Sequence, residues 1–315
     1  MVMSSSFLLK LFPPPEFMLM DYAGLEISDD AIRCISYKST SHGRKVTGFL
    51  SIELPKNLLI GGDTVNMDTL RAELLKFKEK TSLSYVRVSI PEEKAYLFQT
   101  DVISGNLDDM RQNIESKLEE NIPLLARDAV FDFDLIQSVR SGYGKDIGTS
   151  LRASVSVVPK TYIEKMLELL HGIGLKPLGF EVVPRSIGRV LVPAHSDKTI
   201  MVIHTMSQKV GIYIISSGVV VSAFTVSHTE VSKEIIRIYQ YWVSRLDSTP
   251  MHDLFVVGSG VGEVESVIRE SASSLSLNVS VPNIWKNILD NRHGLPPLSP
   301  EESSAYIVAA GLAML

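Results

Sequence analysis

Gly258-Ser259-Gly260-Val261-Gly262 follows the apolar run Leu254 to Val257 and opens a helical pattern from Val261 to Ser274. Glycines at such a junction let the backbone approach a ligand closely, and a helix start offers unpaired amides to an anion. Three readings fit the cluster: a dinucleotide phosphate loop, an adenosine-binding turn, or a tight strand-to-helix turn without a ligand. The first requires an early βαβ unit and an acid about 20 residues further on. Here the cluster lies near the C-terminus and Leu275 to Val281 carries no acid, so that reading is set aside. Ser259 has Val257 rather than a glycine two residues before it, which is not the frame of a nucleophile elbow. The histidines show no i, i+4 pairing, which argues against metal ligation. Glu92 and Glu93, after Pro91, read as a solvated strand edge rather than an acid/base pair, and there is no P-loop. No catalytic residue and no metal ligand is predicted.

The residues that must position such a site belong to a chain of 315 residues, 45% hydrophobic and 21% charged. These values suit a globular protein with two domains sharing a discontinuous core. A net charge of -5 gives no electrostatic reason to bind nucleic acid. Cys34 is the single cysteine and sits in an apolar run, as expected of a buried structural thiol. The longest uncharged stretch, Val210 to Thr229, is interrupted by Ser216-Ser217-Gly218 and is predicted to be a hairpin rather than a membrane span. Residues 1–20, with Phe7-Leu8-Leu9 and Pro13-Pro14-Pro15, lack a basic start and a cleavage site, and are expected to form an arm rather than a signal peptide.

Two similar patterns lie far apart. The first is Gly24 to Ser28, a polar turn at Asp29-Asp30, Ala31 to Tyr37, the Ser39 to Gly43 loop, and Lys45 to Leu54. The second is Thr199 to Thr205, a turn at Ser207-Gln208-Lys209, Val210 to Ile215, a turn at Ser216 to Gly218, and Val219 to Val226. A helix follows each, Asp68 to Lys80 and Val231 to Leu246; in the latter Ile235, Ile238, Tyr239, Trp242 and Val243 share one stripe. Such repetition predicts two like domains facing each other. Between them the pattern changes: a strand over Lys94 to Ile103, a helix over Leu107 to Asn121 capped by Asn106, and strands Ala129 to Ser138 and Ser150 to Val158 joined by a loop with Gly142-Tyr143-Gly144. A helix over Lys160 to His171, stopped by Gly172 and Gly174, completes a small α+β insertion. The chain then re-enters the first domain at Gly179 to Val183 with a helix near Pro184, and closes with a helix at Glu301 to Leu315.

In this order the pieces resemble the PilM family of type IV pilus assembly proteins, relatives of the cell-division protein FtsA. The resemblance is carried by Gly24-Leu25-Glu26-Ile27-Ser28 with Ile32-Arg33, Val88-Ser89-Ile90-Pro91-Glu92 and Tyr96-Leu97-Phe98. It continues through Glu119 to Pro123, Phe131-Asp132-Phe133-Asp134, Val157 to Lys160, Gly172 to Pro177, the turn Gly258 to Gly260, and Val308 to Ala313. It implies an α/β, actin-like (duplicated RNase-H-like) fold with a small inserted α+β subdomain. The expected division is an arm over 1–20, a first lobe over 21–197 with the insertion at about 94–176, and a reduced second lobe over 198–315.

The resemblance further implies a cytoplasmic scaffold, peripheral at the inner membrane, with a groove for the N-terminal cytoplasmic peptide of a PilN-like membrane protein. Other pilus assembly platform proteins are expected partners, and contact with the membrane only through partners or the N-terminal arm. In actin-like ATPases two hairpin turns cradle phosphates, and nearby acids position metal and water. The first turn corresponds to Glu26, Ser28, Asp29 and Arg33, and the adenosine side to Gly258, Ser259 and Gly260. The second corresponds to His204-Thr205-Met206, where the family's acid and glycine are both missing. Phe224 to His228 also runs almost directly into the helix at Val231, so a helical subdomain is missing. ATP and magnesium are therefore expected to bind weakly or not at all, without hydrolysis. The alternatives are a nucleotide-binding switch or weak ATPase of the platform and, more remotely, a sugar-kinase-like enzyme.

Overall fold

The computed structural model describes residues 21–40, 43–136, 151–193, 196–245, 248–289 and 297–315. The arm over 1–20, the Gly142-Tyr143-Gly144 loop, part of the Ser39 to Gly43 loop and residues 290–296 lie outside the described residues.

The first sheet is built from β1 (Tyr22–Ile27), β2 (Ala31–Thr40) and β3 (Gly43–Glu53) in antiparallel succession. A short hairpin, β4 (Leu59–Ile60) with β5 (Asp63–Thr64), leads to helix α1 (Met67–Thr81). Asn66 caps α1 by accepting from the Thr69 amide, and Ser82 ends it with a left-handed φ of 55°. Strand β6 (Tyr85–Ile90) then pairs parallel to β1.

The insertion contains β7 (Tyr96–Val102), α2 (Leu107–Glu115), α3 (Leu118–Asn121), β8 (Ala129–Ile136), β9 (Leu151–Pro159) and α4 (Lys160–Gly172). Its antiparallel sheet runs β7-β9-β8. The helix predicted over Leu107 to Asn121 is two helices. Ser116 Oγ donates to the Asn113 carbonyl at 2.8 Å and the Lys117 amide to the Ile114 carbonyl at 2.9 Å, local bonds that compete with the helical ladder. Beyond α4, Gly174 takes the left-handed stop at φ 74°. Strand β10 (Lys176–Val182) completes the first sheet and helix α5 (Val183–Leu191) follows it.

The second sheet repeats the first. Strands β11 (Thr199–Thr205), β12 (Lys209–Ser216) and β13 (Val219–Ser227) are antiparallel neighbours. The turn between the last two places Ser217 at φ 52° and Gly218 at φ 81°, so the long uncharged stretch is the predicted hairpin. Among the described residues no helix is long and apolar enough to cross a membrane. Only His228–Glu230, one 3-10 turn, separates β13 from α6 (Val231–Val243). Then come β14 (Met251–Gly258), α7 (Val261–Ser274) and β15 (Asn278–Ser280), with β14 parallel to β11. The two orders, β3-β2-β1-β6-β10 and β13-β12-β11-β14-β15, match strand for strand.

The predicted C-terminal helix is also two, α8 (Pro300–Ser304) and α9 (Ile307–Leu312). Ser303 Oγ donates to the Pro300 carbonyl and the Tyr306 amide to the Ser303 carbonyl, tightening the turn that redirects the chain. Helix α9 lies against α5, β1 and β2. Together α5 and α9 fill the layer between the sheets, where Ile187, Val190, Val308 and Leu312 meet Ile35 of β2 and Val202, Tyr213 and Ile215 of the second sheet. Leu70, Leu74, Leu169 and Leu170 of α1 and α4 cover the far face of the first sheet, and Ile235, Ile238, Val264 and Ile268 of α6 and α7 that of the second.

Candidate functional site

The first turn, Ser28-Asp29-Asp30, joins β1 to β2. The Ser28 amide donates to the Ala31 carbonyl at 3.0 Å and Ser28 Oγ to Asp30 Oδ1 at 2.6 Å. Arg33 grips Asp30 with both terminal nitrogens, Nη2 to Oδ2 at 2.5 Å and Nη1 to Oδ1 at 3.1 Å. Burial would raise the Asp30 pKa, but the bonds and charge of Arg33 outweigh it and hold Asp30 at about 2. Glu26 is opposite Arg33 in the β1–β2 ladder, buried, and its Oε2 has no partner. Desolvation dominates there, pushing the Glu26 carboxyl up to about 8 against the pull of Arg33.

The second turn joins β11 to β12, where the Met206 amide donates to the Lys209 carbonyl at 3.0 Å. His204 is buried; burial, then the charges of Lys209 and Arg33, lower its pKa to about 3, so the ring is neutral. Across the gap Ser207 Oγ donates to Asp29 Oδ2 at 3.3 Å. Lys209 forms an ion pair with Glu93, and the Tyr213 hydroxyl donates to Glu92 Oε1 at 2.8 Å. The reading of Glu92 and Glu93 as a solvated strand edge is thus corrected. They occupy a 3-10 turn, Glu92–Lys94, that Pro91 directs toward the second sheet.

The glycine cluster lies at the end of β14. Gly258 has φ 110°, and a Cβ there would stand 2.1 Å from the Thr205 carbonyl oxygen. A Cβ on Gly260 would stand 2.8 Å from that of Met206. The Ser259 amide donates to Thr205 O at 3.1 Å, and Ser259 Oγ donates to Asp30 Oδ2 at 3.0 Å. In the structure these glycines permit the close approach of two neighbouring strand ends.

Glu26, Ser28 and Asp29 therefore line one cleft between the sheets, while Arg33 stands behind it on Asp30 and Gly258, Ser259 and Gly260 pack beside it against the second turn, linked to the first by the Ser259–Asp30 bond. Sequence reasoning missed Glu92, Glu93, Lys209 and Tyr213 as members of it. Lys209 in the second polar turn was the available signal; Tyr213 looked like one more apolar strand residue.

The space between Glu26, Asp29, Glu92, His204 and Lys209 is open to solvent and measures about 20 Å³. That volume holds about one water. Its lining is rich in acids, and Arg33 is committed to Asp30. Beside the cleft a groove of about 260 Å³ opens between the insertion, α5 and β13, with Leu97, Val182, Pro184, Val220 and Ala223 among its walls.

No family model and no curated protein matches the sequence. Solved structures do match. A chain of a PilM-PilN type IV pilus biogenesis complex superposes with a TM-score of 0.78 at 16% identity, over 95% of this chain and 98% of that one. A Bacteroides thetaiotaomicron protein with actin-like ATPase fold and unknown function gives a TM-score of 0.50 at 11% identity, over 84% and 91% of the two chains. The fold is actin-like. Ethanolamine utilization protein EutJ from Carboxydothermus hydrogenoformans shares it, with a TM-score of 0.50, 12% identity and coverage of 96% and 90%. At these identities the likeness is one of fold. The actin-like frame accounts for the matching strand orders, for the two turns meeting at one cleft, and for the insertion between β6 and β10.

Proposed function

We propose that this chain is a PilM-like scaffold of a type IV pilus assembly platform, binding the cytoplasmic N-terminal tail of a PilN-like inner-membrane protein. It works at the cytoplasmic face of that membrane, joined to it through partners, and without ATP hydrolysis. Two things support the reading. The match to the PilM chain covers nearly all of both molecules, with a TM-score well above that of the actin-like ATPase fold neighbour. The observation that carries the non-catalytic part is the cleft itself, narrowed to about 20 Å³ between Glu26, Asp29, Glu92, His204 and Lys209 and bridged beside that space by Lys209–Glu93 and Tyr213–Glu92.

Phosphoryl transfer depends almost wholly on positioning and electrostatics. Here His204, neutral and buried, stands where the resemblance calls for an acid. Under this reading the turn residues join the lobes, through Ser207–Asp29 and Ser259–Asp30, instead of holding a nucleotide. A scaffold needs only a preformed groove for an extended segment, and the 260 Å³ groove with Leu97, Val182, Pro184 and Ala223 has the apolar lining for one.

The test uses the purified chain and a synthetic PilN-type N-terminal peptide. Saturable one-to-one binding, lost when Ala223→Trp fills the groove, is the expected result. Calorimetry with ATP and magnesium should be silent up to millimolar nucleotide. Micromolar nucleotide binding together with absent peptide binding would replace the scaffold with a nucleotide switch.

A further inference from the structure

The shared α5–α9 layer joins the two lobes below the site, but above it their turns close over an acidic cleft. Glu26, Asp29, Glu92 and Glu93 line or rim it, and Asp30 is adjacent. Asp29 Oδ1 and Glu93 Oε2 are buried without a hydrogen-bond partner. Arg33 belongs to the same lobe as these acids and is already bound to Asp30. The compensating charge that arrives from the other lobe is the ammonium of Lys209.

We propose that Lys209 is a built-in cation that latches the two lobes. Its ammonium enters the acidic wall of the first lobe and pairs with Glu93, while the Tyr213–Glu92 hydrogen bond seals the cleft behind it. Both partners of the ion pair are largely covered, with side chains 19% and 18% exposed, so solvent screens the pair weakly. The contacts join residues 116 and 121 positions apart, so they tie lobe to lobe rather than one turn to itself. Weaker bonds along the same rim point the same way, Ser207 to Asp29 and Gln208 Nε2 to Asn57 Oδ1 at 3.4 Å. Burial alone would lower the Lys209 pKa; Glu93 and Glu92 outweigh it and raise it, which keeps the latch charged. The effect is that this molecule supplies from its own chain the positive charge that would otherwise have to come from a ligand. The latch does not depend on what the chain binds elsewhere.

Pulsed dipolar spectroscopy on the full chain tests it, with spin labels at Lys80→Cys on α1 and Glu270→Cys on α7. Both positions are exposed, and the native Cys34 thiol, buried and pushed up to about 12, does not compete for label. The unmutated cleft should give one narrow inter-label distance. Lys209→Met should broaden that distribution about twofold or lengthen it, Lys209→Arg should leave it narrow, and Glu93→Gln should act like Lys209→Met. The double variant Lys209→Met with Glu93→Gln should be no broader than either single one, since both remove the same bond. Should Lys209→Met not fold, Glu93→Gln alone decides. A narrow, unshifted distance in a folded variant of either kind overturns the latch. Peptide binding by the scaffold is read separately, so the two proposals fail independently.

Discussion

Glu26 faces Arg33 across the β1–β2 ladder, yet the guanidinium turns to Asp30 and leaves one Glu26 oxygen bare. The consequence is a carboxyl with a folded pKa of about 8 against an ordinary 4.5. Below 4.5 it is neutral in both folded and unfolded chain and has no pH-dependent effect. Between 4.5 and 8 the unfolded chain ionises first, so stability falls as pH rises through this window, and it levels off above 8. A tenfold difference in proton affinity between the two states corresponds to about 1.4 kcal/mol. Glu26→Gln should therefore raise the melting temperature by several degrees at pH 8.5 and by much less at pH 5. Equal gains at both pH values would show that Glu26 is not the titrating group. The acid at position 26 and the base at position 33 were visible in the sequence as parts of a turn. The isolation of Glu26 was not, because it depends on which of two nearby carboxylates Arg33 reaches.

At the scale of elements, α9 is the piece that makes the central layer possible. A Cβ on Gly24 of β1 would lie 2.0 Å from the Ala309 carbonyl oxygen, and one on Gly311 of α9 would lie 2.1 Å from that of Ser186 in α5. These are backbone atoms, so no side-chain rotation relieves the clash. Gly311→Ala should destabilise the chain by about 1–3 kcal/mol in urea unfolding, as overpacking does in a filled core. Gly218→Ala is the control: φ is 81° but nothing lies within 4 Å, so only the left-handed backbone is strained, at about 1 kcal/mol. The insertion is fastened differently. Arg185 of α5 pairs with Asp132 at 2.5 Å and Asp134 at 2.8 Å on β8. In Arg185→Ala, amides of β8 should exchange hydrogen faster while those of β1 and β11 stay protected.

At the scale of the molecule, the insertion also touches the second lobe. Ser154 Oγ donates to the Val220 carbonyl at 2.5 Å, and Gln99 Nε2 to the Val221 carbonyl at 2.7 Å. Together with Lys209–Glu93 and the shared α5–α9 layer, these bonds connect three sheets. Under the proposed reading a nucleotide competes with the contacts at the two turns. The calorimetric silence expected for ATP is therefore a property of the whole arrangement rather than of the missing acid alone.

Local chemistry was enough for the sequence to reveal the duplicated strand patterns, the hairpin at Ser217-Gly218 and the caps at Asn106 and Gly174. Each rests on periodicity or turn preference within about 20 residues. Tertiary structure alone decided that Glu92 and Glu93 face inward, that Tyr213 closes a polar cleft, and that Gly258 serves strand packing. Those outcomes depend on groups more than a hundred positions apart, or on two strands meeting edge to edge. No local propensity encodes such meetings; they follow only once both sheets are in place.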